Sequence, residues 1–163
     1  MGKLVVVLIA TLVIQFGMQD AGACGDKTMR VKTGLRYYQT QAANHPSTIL
    51  IHSAALPAGK AVELRKFLND AGHKATAMDD MGSIKNSLRT SHYDLVLTNL
   101  SEASELQKQV ESFTPKTVVV PVLFKQPKSE QKTAARQYKV IVNNPIDGID
   151  FLVAVSRVMT KKS

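Results

Sequence analysis

Tyr93-Asp94-Leu95-Val96-Leu97-Thr98-Asn99-Leu100 restricts the fold of this chain more than any other segment. It is too short for a helix of ordinary length, and its apolar side chains fall on both faces of an extended strand. Such a strand must be covered on both sides, which is the situation of a parallel sheet flanked by helices. In open sheets of this kind, ligands and chemistry collect beyond the carboxyl ends of the strands. Thr98 and Asn99 stand at that end.

The pattern around this segment repeats. Thr48-Ile49-Leu50-Ile51-His52 is a second apolar run, and Ala61, Leu64, Phe67, Leu68 and Ala71 follow at helical spacing, stopped by Gly72. Lys74 to Met78 is the next strand, and Ser83 is read as the cap of a short helix carrying Ile84 and Leu88. After the Asp94–Leu100 strand, Leu106, Val110 and Phe113 mark a helix closed by Pro115. Thr117 to Phe124 is the fourth strand. Pro121 is expected to weaken pairing beyond it, because proline has no N–H to donate. A helix near Ser129–Gln137, a fifth strand at Lys139–Val142 and a last helix at about Asp147–Met159 complete the series. Five strand–helix pairs predict an α/β fold with a doubly wound, five-stranded parallel sheet. The flavodoxin-like order 2-1-3-4-5 is the expected topology.

The segment Tyr93 to Leu100 resembles the central strand of response-regulator receiver (CheY-like) domains, which usually reads Tyr-Asp-Leu-Val-Leu-Leu-Asp-Leu. The resemblance spans roughly Ser47 to Lys161. It implies a phosphoacceptor Asp at the position of Asn99, an acidic Mg²⁺-holding pair at Ser53 and Ala54, and a Lys at Asn144, before Pro145. None of these residues can do the implied work. An amide is a poor nucleophile, Ala54 offers no oxygen, and Mg²⁺ requires several hard oxygen ligands. The resemblance therefore implies a pseudo-receiver with a degenerate crevice at Ser53, Ala54, Asn99 and Asn144, not phosphorylatable, with no catalytic residues, no metal and no cofactor. Receivers commonly meet partners on their fourth helix, fifth strand and fifth helix.

The N-terminus reads as a targeting segment. Lys3, an apolar stretch from Leu4 to Phe16 and a small-residue site at Ala21-Gly22-Ala23 form a signal peptide over residues 1–23. The chain is thus expected to be exported, to the periplasm, the envelope or the medium. Cys24, the single cysteine, would then begin the mature protein and becomes a candidate for lipidation. Residues 24–46 read as a linker or arm, with a short extended piece around Leu35–Tyr38, and residues 47–163 as the receiver-like domain.

The net charge of +8 is concentrated late in the sequence. From Pro115 onward nine basic residues, among them Lys132, Arg136 and Lys139, face only Glu130, Asp147 and Asp150. Those three cations form a candidate binding face for an acidic protein or an anionic envelope component. Nucleic acid is not an expected partner of an exported chain. Two other functions compete: a small-molecule binder or divergent enzyme using the strand-end crevice, and a conventional phosphorelay regulator. His52 stands alone in sequence and reads as a structural histidine. Asp79-Asp80 reads as a turn or helix cap. No glycine-rich phosphate loop, Gly-x-Ser-x-Gly motif or zinc-ligand spacing occurs.

Overall fold

The computed structural model describes residues 36–38, 40, 42 and 45–160. The expected signal peptide, Cys24 and most of the expected arm lie outside the described residues.

Five parallel strands form one sheet: β1 (Thr48–His52), β2 (Lys74–Met78), β3 (Leu95–Asn99), β4 (Val118–Leu123) and β5 (Val142–Asn143). Their spatial order is β2-β1-β3-β4-β5, the flavodoxin-like order. Helices alternate with them: α1 (Lys60–Asp70), α2 (Met81–Thr90), α3 (Leu100–Phe113), α4 (Lys128–Gln137) and α5 (Gly148–Thr160). A single 3-10 turn, Ser53–Ala55, carries the chain out of β1.

Period-two alternation divides the strand side chains between two cores. Ile49, Ile51, Leu95, Leu97, Val120 and Val122 face α1 and α5, where Leu64, Leu68, Phe151, Leu152 and Val155 meet them. Leu50, Val96, Val119 and Leu123 face α2 and α3, against Ile84, Leu88, Leu106 and Val110. The central strands are fully buried, so their apolar pattern is continuous rather than alternating.

The joints between elements follow from single residues. Gly72 has φ +100 just past α1, a conformation that costs glycine little, and its N–H bonds Asn69 O at 2.9 Å. The Asn69 side chain continues past the helix and meets β2: Ala75 N–H donates to Asn69 Oδ1 at 2.7 Å, and Asn69 Nδ2 donates to Ala75 O at 3.3 Å. Asp94 precedes β3 and accepts from Thr48 N at 2.8 Å, which ties the entry of β1 to that of β3. At Gly148 a Cβ would overlap the Phe67 ring, so glycine is what allows α5 to start against α1.

Five expectations are corrected. Arg36, Tyr37 and Tyr38 are helical rather than extended, and Tyr38 packs on the core beside α5. Of the two cap readings, Ser83 is corrected and Asp80 holds: Asp80 caps α2 and accepts from Ser83 N at 2.8 Å. β5 is Val142–Asn143 rather than Lys139–Val142, because Tyr138 and Val140 turn into the core from non-strand backbone. Pairing does not weaken beyond Pro121: β4 meets β5 only there, at Val122 and Leu123. Phe113 is exposed rather than inward, with the Arg89 guanidinium 4.8 Å from its ring centre.

Candidate functional site

The strand-end crevice lies beyond β1, β3 and β4. It is a cleft of about 460 Å³ walled by Ala54, Ala55, Leu56 and Pro57 on one side and by Asn99, Leu100 and Ser101 on another. Phe124, Gln126 and Glu130 close it. Ala54 and Asn99 thus share one cleft, whereas Ser53 and Asn144 do not line it.

Each of these residues has a structural task. Asn99 has extended backbone at the start of α3, and its Oδ1 accepts from Glu102 N and from Ser101 Oγ, both at 2.9 Å. Asn99 is therefore a helix N-cap, satisfying an N–H that would otherwise lack a partner. Ser53 and Ala54 form the 3-10 turn that leaves β1. Asn144 has φ +45 and Lys125 φ +53. Asn144 clasps the end of β4 at two points: Lys125 N–H donates to Asn144 Oδ1 at 2.6 Å, and Asn144 N–H donates to Leu123 O at 2.7 Å. An Asn tolerates this left-handed backbone better than a Lys does. The clasp holds both turns at the carboxyl ends of β4 and β5.

Sequence reading missed a polar cluster under the cleft. His52 is 2% exposed and Thr98 fully buried. His52 Nδ1 lies 3.5 Å from Thr98 Oγ1 and 2.6 Å from Glu102 Oε2. That carboxylate oxygen is buried and has no aligned hydrogen bond, so it sits off the in-plane direction of an Nδ1 proton. Glu102 also occupies the first turn of α3, where the helix dipole favours a negative charge. His52 and Glu102 are 50 positions apart, and no local spacing announces their meeting. Among the described residues, no group of three or more His, Cys, Asp or Glu side chains is placed to hold a metal ion.

The candidate basic face is only partly co-facial. Lys132 and Arg136 lie one turn apart on α4, and Lys128 extends their row by a further turn. All three are exposed, and among the described residues none forms an ion pair. Lys132 and Arg136 each lie about 160° around the helix from Ala134, the one buried residue of α4, and Lys128 about 120°, so the row points to solvent. Lys139 follows the helix and lines a separate depression with Lys116, Asp94 and Glu111.

On the other flank of the sheet His73 is buried, and its Nδ1 accepts from Ser47 N at 3.2 Å. Burial pushes its pKa below the ordinary histidine value. The accepting Nδ1 assigns the neutral form with the proton on Nε2.

No protein-family model matches the chain, and no curated protein matches it in sequence.

Proposed function

We propose that this chain is an exported, non-catalytic pseudo-receiver that serves as a binding or scaffold module for an acidic partner. The observation that carries the reading is the bonding of Asn99. Where a receiver presents a free carboxylate, this chain presents an amide whose oxygen is already shared between Glu102 N and Ser101 Oγ. Ala54 supplies only a methyl group to the same cleft, and Asn144 is engaged with the backbone of Lys125. A side chain committed to capping holds the fold and leaves nothing to accept a phosphoryl group. What remains available for recognition is the surface.

The cationic row Lys128, Lys132 and Arg136 supports an acidic partner, protein or envelope component. Like charges one turn apart on a helix repel one another, and an opposite charge that meets the row relieves that repulsion. Binding of this kind is screened over about 10 Å at 0.1 M salt. Two measurements test the reading. Incubation with acetyl phosphate and Mg²⁺ should leave the intact mass unchanged, and a stoichiometric phosphoryl adduct would refute it. Retention on a polyglutamate matrix should fall steeply with salt and be lost in the triple variant Lys128→Glu, Lys132→Glu, Arg136→Glu. Retention of a folded triple variant would remove the assigned face.

A further inference from the structure

Ahead of β1 the chain forms an arm that docks beside the amino ends of β1 and β2. Residues 36–38, 40 and 42 are helical, Ala42 is buried, and Tyr38 packs on the core next to α5. His45 and Pro46 are exposed and lead into Ser47, which is fully buried. A cavity of about 220 Å³ separates the arm from the domain. Tyr38 and His45 wall it on the arm, and His73 and Leu152, Val155 and Met159 of α5 wall it opposite. Among the described residues, no Asp or Glu lines it.

The arm is fastened at Ser47. From that residue onward the chain is tied to the sheet on both sides: Lys74 N–H donates to Ser47 O, and Thr48 N–H donates to Asp94 Oδ2, both at 2.8 Å. One bond stands just ahead of these, from Ser47 N–H to His73 Nδ1 at 3.2 Å. A proton abolishes it, because an imidazolium carries N–H on both nitrogens and accepts nothing. The ring would then face the Ser47 N–H donor to donor.

No neighbour compensates for that charge. His45 and the Tyr38 phenol stand across the cavity, and neither carries a negative charge near neutral pH. The α5 wall has no titratable side chain, and Arg157 points to solvent. Asp70, at the end of α1, and Lys74 are exposed. Asp94 lies across β1 from β2 and is engaged by Thr48 N–H. Burial alone accounts for the depressed pKa of His73. The closed arrangement has a second weakness in the buried Ser47 Oγ, which has no hydrogen-bond partner. Opening would give that hydroxyl to water.

We infer that the segment ahead of β1, residues 36–46, is a pH-released latch, docked on α5 while His73 is neutral and released when His73 Nδ1 takes up a proton. The docked arm keeps the ring buried and favours its neutral form. The released arm hydrates the ring and returns it to the ordinary range, so acid favours release. The released population grows as pH falls below about 6.5, by up to about tenfold per pH unit, until the docked-state value is passed. Release uncovers Leu152, Val155 and Met159, so an apolar strip of α5 is covered at neutral pH and presented in acid.

Heteronuclear NOE measurements on the ¹⁵N-labelled full chain test the latch. At pH 7.5 the amides of Arg36, Tyr38, Thr40 and Ala42 should be as ordered as those of the strands. At pH 5 they should lose that order, while β1, β3 and α5 keep theirs. The His73 ring resonances should titrate with the same midpoint as the arm amides. His73→Asn keeps an acceptor for Ser47 N–H and does not titrate, so its arm should stay docked at pH 5. His73→Gln serves if that variant fails to fold, and the comparison of midpoints in the parent needs no variant. An arm still ordered at pH 5 would overturn the inference, as would arm and strands losing order together. So would a release midpoint apart from that of His73, or release in a folded His73 variant.

Discussion

α5 and α4 are consecutive helices of similar length, and the sheet treats them differently. α5 buries Phe151, Leu152, Ala154, Val155 and Val158, a full apolar stripe against β1, β3 and β4. α4 buries Ala134 alone and is anchored largely through Tyr138 at its end. Burying an aliphatic side chain contributes roughly 1.5–3 kcal/mol, so α5 is fastened by several such contributions and α4 by a small methyl group and a ring. The difference teaches where sequence is committed to folding and where it is released for other uses. On α5 most positions are fixed by packing, while on α4 the rows Lys128–Lys132–Arg136 and Ser129–Thr133–Gln137 are free to carry charge and hydrogen bonds.

The widest test of that contrast is truncation. Leu152→Ala should lose about 2–5 kcal/mol, as large-to-small changes in packed cores do, whereas each charge reversal on the α4 row should stay within about 0.5 kcal/mol. Urea unfolding that ranks the two helices equally would break the comparison. Gly148→Ala comes next, at about 1–3 kcal/mol, because the added methyl must displace the Phe67 ring where α5 begins. A thermal midpoint equal to that of the parent would show that this entry is looser than its geometry.

Asn99→Ala should cost about 1 kcal/mol through loss of the α3 cap, while Asn99→Asp keeps the cap and should remain near parental stability without becoming phosphorylatable. The smallest effect belongs to His73, on the α5 side. Its folded-state pKa is depressed, so the unfolded chain binds more protons and stability rises with pH through this window. The contribution is complete above about pH 6.5 and is lost as pH falls toward the folded-state value. Protonation would also turn the Nδ1 acceptor into a donor facing Ser47 N–H. His73→Asn retains an acceptor and removes the titration. The urea midpoint of the parent should therefore drop more than that of the variant between pH 7.5 and pH 5, and equal drops would assign the acid loss elsewhere.

Much of this fold is legible in sequence because it depends on apolar periodicity. β1 and β2 fall on the expected residues, and β3, α1 and α5 differ from expectation by a residue or so at their ends. Reading failed where a local rule had two solutions. Ser83 and Asp80 both suit a helix start, and the carboxylate three positions earlier reaches the N–H. Lys139 to Val142 is apolar enough for a strand, yet only Val142 is paired, since Tyr138 and Val140 are drawn into different cores. The candidate crevice was readable as residues but not as bonding. That Asn99 is a cap depends on the first turn of α3, and that His52 meets Glu102 depends on the sheet bringing β1 beside β3.

The reach of Asn69 across to β2 has a consequence for the molecule in company. Among the described residues β2 and β5 are the two outer strands of the sheet, and an exposed margin is a template on which another chain can add a strand and begin to aggregate. At one margin β5 offers only two residues. At the other, the amide of Asn69 takes the N–H and C=O of Ala75, the second residue of β2, as a neighbouring strand would, and so occupies that position before a foreign chain can. One side chain, projecting from the end of a helix, thereby stands where a neighbouring strand would have to bond.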